Sequence, residues 1–184
     1  QFDMLGLKQY SRIFVPLCGK TRDIAWLLTH GDRVVGAELN ESAVKALFKE
    51  LNIAPITSIE GALTHYQGEG IDIWVGDIFD MTSVQLKPVD AIYDRAALVA
   101  LPESMRHRYT AHLMNITRRA PQLVICFEYD QRVMPGPPFS ITSEEIRQHY
   151  SNAYSLTLLE SCDVAGGLKR KAVAAEMIWL LSEI

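Results

Sequence analysis

One alternation narrows the possible folds more than any other feature of the chain. Short runs rich in β-branched and aromatic residues, at 12–17, 33–39, 71–75, 89–93 and 123–127, are separated by stretches with helical spacing. After the first run, Ile24, Leu27 and Leu28 share a helical face, and Gly31 stands where a left-handed cap fits. After the second, Asn40 precedes a face of Val44, Leu47, Phe48 and Leu51. Residues 52–70 are polar and glycine-containing and read as a connection. Pro102 opens a helix running to about Arg119, with Met105, Tyr109, Leu113 and Ile116 predicted on its buried face and Arg118 and Arg119 at its negative end. A stiff turn at 135–139 follows the fifth run, and Thr142 and Glu145 have capping-box spacing for a helix to about Tyr150. Residues 155–160 and 171–181 read as an antiparallel pair joined across Gly166 and Gly167. Strands alternating with helices need helix-length, right-handed crossovers. The expected class is therefore α/β, a doubly wound, mostly parallel sheet with helices on both faces and an antiparallel C-terminal strand pair.

Composition removes several function classes. A formal charge of −4 and no long Lys/Arg cluster argue against a surface that tracks nucleic-acid phosphates. The longest apolar runs fall far short of the roughly 18 residues of a membrane span. Cys18, Cys126 and Cys162 are widely spaced and lack a CxxC, so neither a disulfide framework nor a zinc site is signalled, and a reducing cytoplasm is the expected setting. His30, His65, His107, His112 and His149 show no metal spacing, and no metal is expected. With 48% apolar residues and no composition break, residues 1–184 read as a single domain. An acidic surface without an apolar stripe points to a monomer.

In a doubly wound sheet ligands bind beyond the carboxyl ends of the strands. The first run ends in Leu17-Cys18-Gly19-Lys20, the second in Glu38, the third in Gly76-Asp77 and the fourth in Asp94-Arg95. A turn with few side chains admits a ligand to backbone N–H groups, and an acid 19 residues after Gly19 can accept both hydroxyl hydrogens of a ribose. Glu38 could instead cap the helix that follows it. Gly19-Lys20-Thr21 resembles the close of a P-loop, but Phe14 stands where that motif requires glycine. The turn is not GxGxxG either, which argues against a nicotinamide cofactor. Cys18 lies where a helix N-terminus could lower its pKa, with a small buried hydrophobe as the simpler reading.

The segments Phe14-Val-Pro-Leu-Cys-Gly-Lys20, Val35-Gly-Ala-Glu38, Asp77-Ile-Phe-Asp80, Tyr93-Asp-Arg-Ala-Ala-Leu98 and Pro135-Gly-Pro-Pro-Phe139 occur in the order and spacing of thiopurine S-methyltransferases. From about Arg12 to Leu181 the chain resembles that family, a branch of the seven-strand, Rossmann-like methyltransferases that use S-adenosylmethionine and release S-adenosylhomocysteine. The resemblance implies that Leu17 and Gly19 line the methionine side, Glu38 holds the ribose, and Asp77 and Ile78 border the adenine. It places Arg95 at the reaction end, where it could neutralise the methionine carboxylate or attract an anionic thiolate. An ion pair of Arg95 with Asp94 or Asp90 is the alternative. Family members carry an N-terminal segment that covers the cofactor, and by that comparison a lid segment is expected to be missing here. The expected partner is a small-molecule thiol, with apolar walls from residues 96–98 and 135–139. Methylation of selenium or tellurium compounds, or a cofactor-binding module without turnover, are the rival readings.

Overall fold

The computed structural model describes residues 2–184. The chain divides into two compact units, Leu7–Tyr93 and Asp94–Ile184 with residues 2–6. The elements bearing on the first unit are β1 (Arg12–Pro16), α1 (Arg22–Thr29), β2 (Arg33–Glu38), α2 (Glu41–Glu50), β3 (Ile56–Glu60), β4 (Leu63–Gly68), β5 (Ile71–Val75), α3 (Ser83–Leu86) and β6 (Ala91–Arg95), whose last two residues pass into the second unit.

In the first unit the strand order is β3-β4-β5-β2-β1-β6. β1 is parallel to β2 on one side and to β6 on the other, and β2 is parallel to β5. Ile13, Phe14, Val15 and Pro16 are all buried, as a strand covered on both faces requires. The crossovers from β1 through α1 to β2, and from β2 through α2 and the β3–β4 hairpin to β5, run in the same direction, so right-handedness puts α1 and α2 on one face. The return to β6 crosses β1 and places α3 on the other. The strand order therefore reverses at β1, the position where doubly wound sheets form a ligand crevice.

The sequence read residues 52–70 as a connection, yet they contain the antiparallel hairpin β3–β4, paired from Ile56↔Gln67 to Glu60↔Leu63. With these two, the described residues form nine strands rather than the expected seven. Every residue of the edge strand β3 is exposed, so no alternation of apolar and polar side chains marks it.

The second unit contains α4 (Glu103–Ile116), β7 (Gln122–Tyr129), α5 (Ser143–Tyr150), β8 (Ser155–Asp163) and β9 (Ala174–Ser182). β9 is antiparallel to both β7 and β8, the expected C-terminal pair. It begins at Ala174 because residues before it turn tightly, with Leu168 N–H donating to Ala172 O. α4 stops at Ile116, and Arg118 and Arg119 lie beyond it in left-handed conformations. Its buried face holds Arg106, Tyr109, Thr110, Leu113 and Ile116, whereas Met105 is exposed. Arg106 is buried because it approaches Glu145 of α5 at 2.6 Å, a paired charge rather than an isolated one. No helix of the described residues is long and apolar enough to cross a membrane.

Gly36 in β2 is fixed by packing. A Cβ there would stand 2.6 Å from Ile73 Cδ1 and 2.9 Å from Cys18 Sγ. Its missing side chain is the space into which the turn after β1 sinks. Gly36→Ala should therefore lower the unfolding free energy by about 1–3 kcal/mol in urea titrations, the usual cost of overpacking.

Candidate active site

Each candidate residue of the first unit sits where a strand ends. Leu17 leaves β1 with φ 46°, a left-handed conformation that costs a branched side chain about 1 kcal/mol. This reversal lets Cys18 N–H donate to Ala37 O at 3.0 Å. Gly19 follows at φ 53° and donates its N–H to Glu38 Oε2 at 2.8 Å. The other oxygen, Oε1, accepts from Asn40 N–H at 2.8 Å. Glu38 also accepts Gly76 N–H on its backbone carbonyl at 3.0 Å, so the end of β5 is tied to it as well. One residue thus joins the turns after β1, β2 and β5.

Glu38 is not the helix cap. That position belongs to Asn40, whose Oδ1 accepts from Ser42 and Ala43 N–H. Asp77 caps a short 3-10 turn, accepting Phe79 N–H at 3.0 Å, and stays exposed while Ile78 beside it is buried. Cys18 is buried, and burial together with the charge of Glu38 pushes its thiol pKa up, so it is the small hydrophobe of the turn and not a reactive thiolate.

These groups fit a nucleoside. Each Glu38 oxygen accepts one backbone N–H and keeps lone-pair capacity for a hydroxyl donor. Beside Gly19 a Cβ would meet nothing within 4 Å, so the space alongside the turn is open.

Arg95 belongs to the second unit, at the exposed end of β6. Its neighbour Asp94 is buried, with Oδ1 accepting from Ala97 and Leu98 N–H at 3.2 Å each and Oδ2 accepting from Tyr109 OH at 2.8 Å. Asp90 Oδ2 accepts from Arg12 N–H at 2.7 Å. Burial pushes the Asp94 pKa up from 3.8 to about 6 against the opposing pull of its hydrogen bonds. Ala96 follows with φ 64° and donates to Ile125 O at 3.2 Å. Of the expected wall at 96–98 only Ala96 is exposed; Ala97 and Leu98 are core residues. The proline loop is anchored beside them, with Phe139 N–H donating to Val99 O at 2.6 Å and Tyr129 OH to Pro138 O at 2.7 Å. Sequence reasoning weighed Asp94 only as a partner for Arg95 and took Tyr109 as core. The signal available was an acid at the inner position of a strand end, followed by small residues whose N–H groups need an acceptor.

Comparison with known proteins identifies the fold and the family. The solved structure of the Burkholderia thailandensis 1,6-didemethyltoxoflavin-N1-methyltransferase, with bound 1,6-didemethyltoxoflavin and S-adenosylhomocysteine, superposes with a TM-score of 0.64 at 17% identity, covering 99% of this chain and 75% of that one. An S-adenosylmethionine-dependent methyltransferase from Methanosarcina mazei gives 0.67 at 12% identity, with 97% and 95% covered. The fold is thus the Rossmann-like fold of S-adenosylmethionine-dependent methyltransferases. The sequence profile of the thiopurine S-methyltransferase family matches residues 2–181, and the chain belongs to that family. It is 52% identical over 180 residues to the thiopurine S-methyltransferase of Xanthobacter autotrophicus, covering 98% of this chain and 84% of that protein. The Teredinibacter turnerae protein of the same name is 49% identical over 170 residues, with 92% and 79% covered. Membership makes the chain an enzyme of methyl transfer, with S-adenosylmethionine as the methyl donor.

The buried carboxyl of Asp94 gives a pH signature. Because the folded chain holds this proton more tightly than the unfolded chain, its contribution to stability is complete below about pH 4 and is lost as pH rises through about 6. From about pH 4 to about pH 7.5 the wild type should lose about 3 kcal/mol relative to Asp94→Asn in urea unfolding. A difference that stays constant over that range would contradict the assignment.

Proposed function

We propose that the chain transfers the methyl group of S-adenosylmethionine to the sulfur of thiopurines or other aromatic and heterocyclic thiols. The observation that supports this most is the Glu38 carboxylate, held by Gly19 and Asn40 N–H at the carboxyl end of β2 in a chain of this family. In this reading Glu38 takes the ribose hydroxyls, Leu17 and Gly19 line the methionine side, and Asp77 and Ile78 border the adenine. The bound donor supplies a methyl activated on a sulfonium, so the protein's task is alignment of the nucleophile with that methyl.

Arg95 acts electrostatically, by neutralising the methionine carboxylate or by favouring the thiolate. Aromatic thiols ionise readily near neutral pH, which removes the need for a strong general base. The exposed methyl of Ala96 and the half-buried ring of Phe139 offer apolar surface for a flat acceptor. Cys18 does not compete as an acceptor, because its raised pKa keeps the thiol protonated.

Calorimetric titration with S-adenosylhomocysteine tests the cofactor half. Glu38→Ala should weaken binding about 100-fold, the loss expected of a pair of charge-assisted hydrogen bonds. Unchanged affinity would refute the ribose role. Arg95→Ala should raise the KM for donor or acceptor at least about tenfold. Parallel assays with a thiopurine and with selenite address the acceptor, and turnover of selenite alone would shift the reading to chalcogen oxyanions.

A further inference from the structure

We propose that Asp94 is a positioning residue for methyl transfer: its carboxylate holds the turn at Ala96 and thereby sets how Arg95 is presented. This rests on the role given to Arg95 above. Strand alternation separates the tasks of the neighbours, since Asp94 points into the core while Arg95 at the next position is exposed.

The turn needs a restraint. Alanine at φ 64° is held against its own preference, and Ala96 N–H to Ile125 O is one tether. The second is Asp94 Oδ1, which gathers the N–H groups of the next two residues, Ala97 and Leu98. Oδ2 is fixed in turn by Tyr109 OH, a fully buried side chain of α4. From there the restraint continues along the backbone to Val99 O, which accepts from Phe139 N–H of the proline loop. One buried carboxylate thus braces the Arg95–Ala96 turn and the backbone to which the proline loop is hydrogen-bonded.

The chemistry at each oxygen separates this role from that of an acid or a base. The titratable groups facing Asp94 are Tyr109 on α4, Tyr150 on α5 and Cys126 on β7, all buried and all driven by burial toward their neutral forms. Glu145 of α5 is engaged by Arg106. Burial makes the negative charge of Asp94 costly, and a charge is not what the turn requires. The turn requires an acceptor at Oδ1. Asparagine supplies one, and its amide can donate to the Tyr109 oxygen once that hydroxyl rotates. Alanine supplies neither.

Two readouts test the proposal. Backbone amide exchange measured by NMR reads the hold itself. Ala97 and Leu98 should be protected in the wild type and in Asp94→Asn, and should exchange at least about 100-fold faster in Asp94→Ala. Steady-state kinetics with a thiopurine reads the consequence. Asp94→Ala should raise the acceptor KM at least about tenfold with S-adenosylhomocysteine affinity within about threefold of wild type, and Asp94→Asn should restore near-wild-type values. Tyr109→Phe, which keeps the ring, should fall between them and decides the matter if Asp94→Ala does not fold. Exchange unchanged in Asp94→Ala, or in Tyr109→Phe where that variant decides, overturns the hold. Lost protection with unchanged kinetics overturns its link to Arg95, and an Asp94→Asn as damaged as Asp94→Ala overturns the positioning role in favour of charge. Should the wild type turn over no thiol, the thiol reading fails, while the exchange measurement still decides the role of Asp94.

Discussion

The first unit depends on how closely the turn after β1 approaches β2. The absent side chain of Gly36 leaves room for the Cys18 thiol, Cys18 N–H pairs with Ala37 O, and only then does Gly19 N–H reach the Glu38 carboxylate. A packing constraint between neighbouring parallel strands is therefore converted into the orientation of one carboxylate, and through the Gly76 bond into the position of the β5 end. Core packing supports such precision because interiors are dense and change arrangement in steps rather than continuously.

The two structurally central carboxylates are treated in opposite ways. Glu38 stays partly accessible, with an N–H on each oxygen, and remains able to accept from a visitor. Asp94 is sealed, spends its acceptor capacity on its own backbone and a tyrosine, and shows the raised pKa of a carboxyl kept from water. One suits recognition, the other internal bracing.

What the sequence discloses follows from burial. The order β1-α1-β2-α2 is legible because both strands are apolar runs with buried faces and because Asn40 and Gly31 punctuate their helices. The hairpin β3–β4 is not, since a strand exposed on both faces carries no alternation and Ile56 and Ile59 look like loop residues. In α4 the spacing points to Met105 as core, whereas the position goes to Arg106 because Glu145 supplies a charge partner from another helix, which no local pattern reveals. Glu38 is readable as a candidate from its distance after Gly19, the residue whose N–H its carboxylate accepts. Asp94 is not, because the partners that define it are two backbone amides and a tyrosine 15 residues away.

Leu17 and Ala96 place residues with side chains where glycine would rest without strain. Each turn therefore behaves as a loaded catch, relaxing toward ordinary backbone geometry as soon as its tether slackens. Fluctuations should accordingly begin at these bends, well below the free energy needed to melt the sheet.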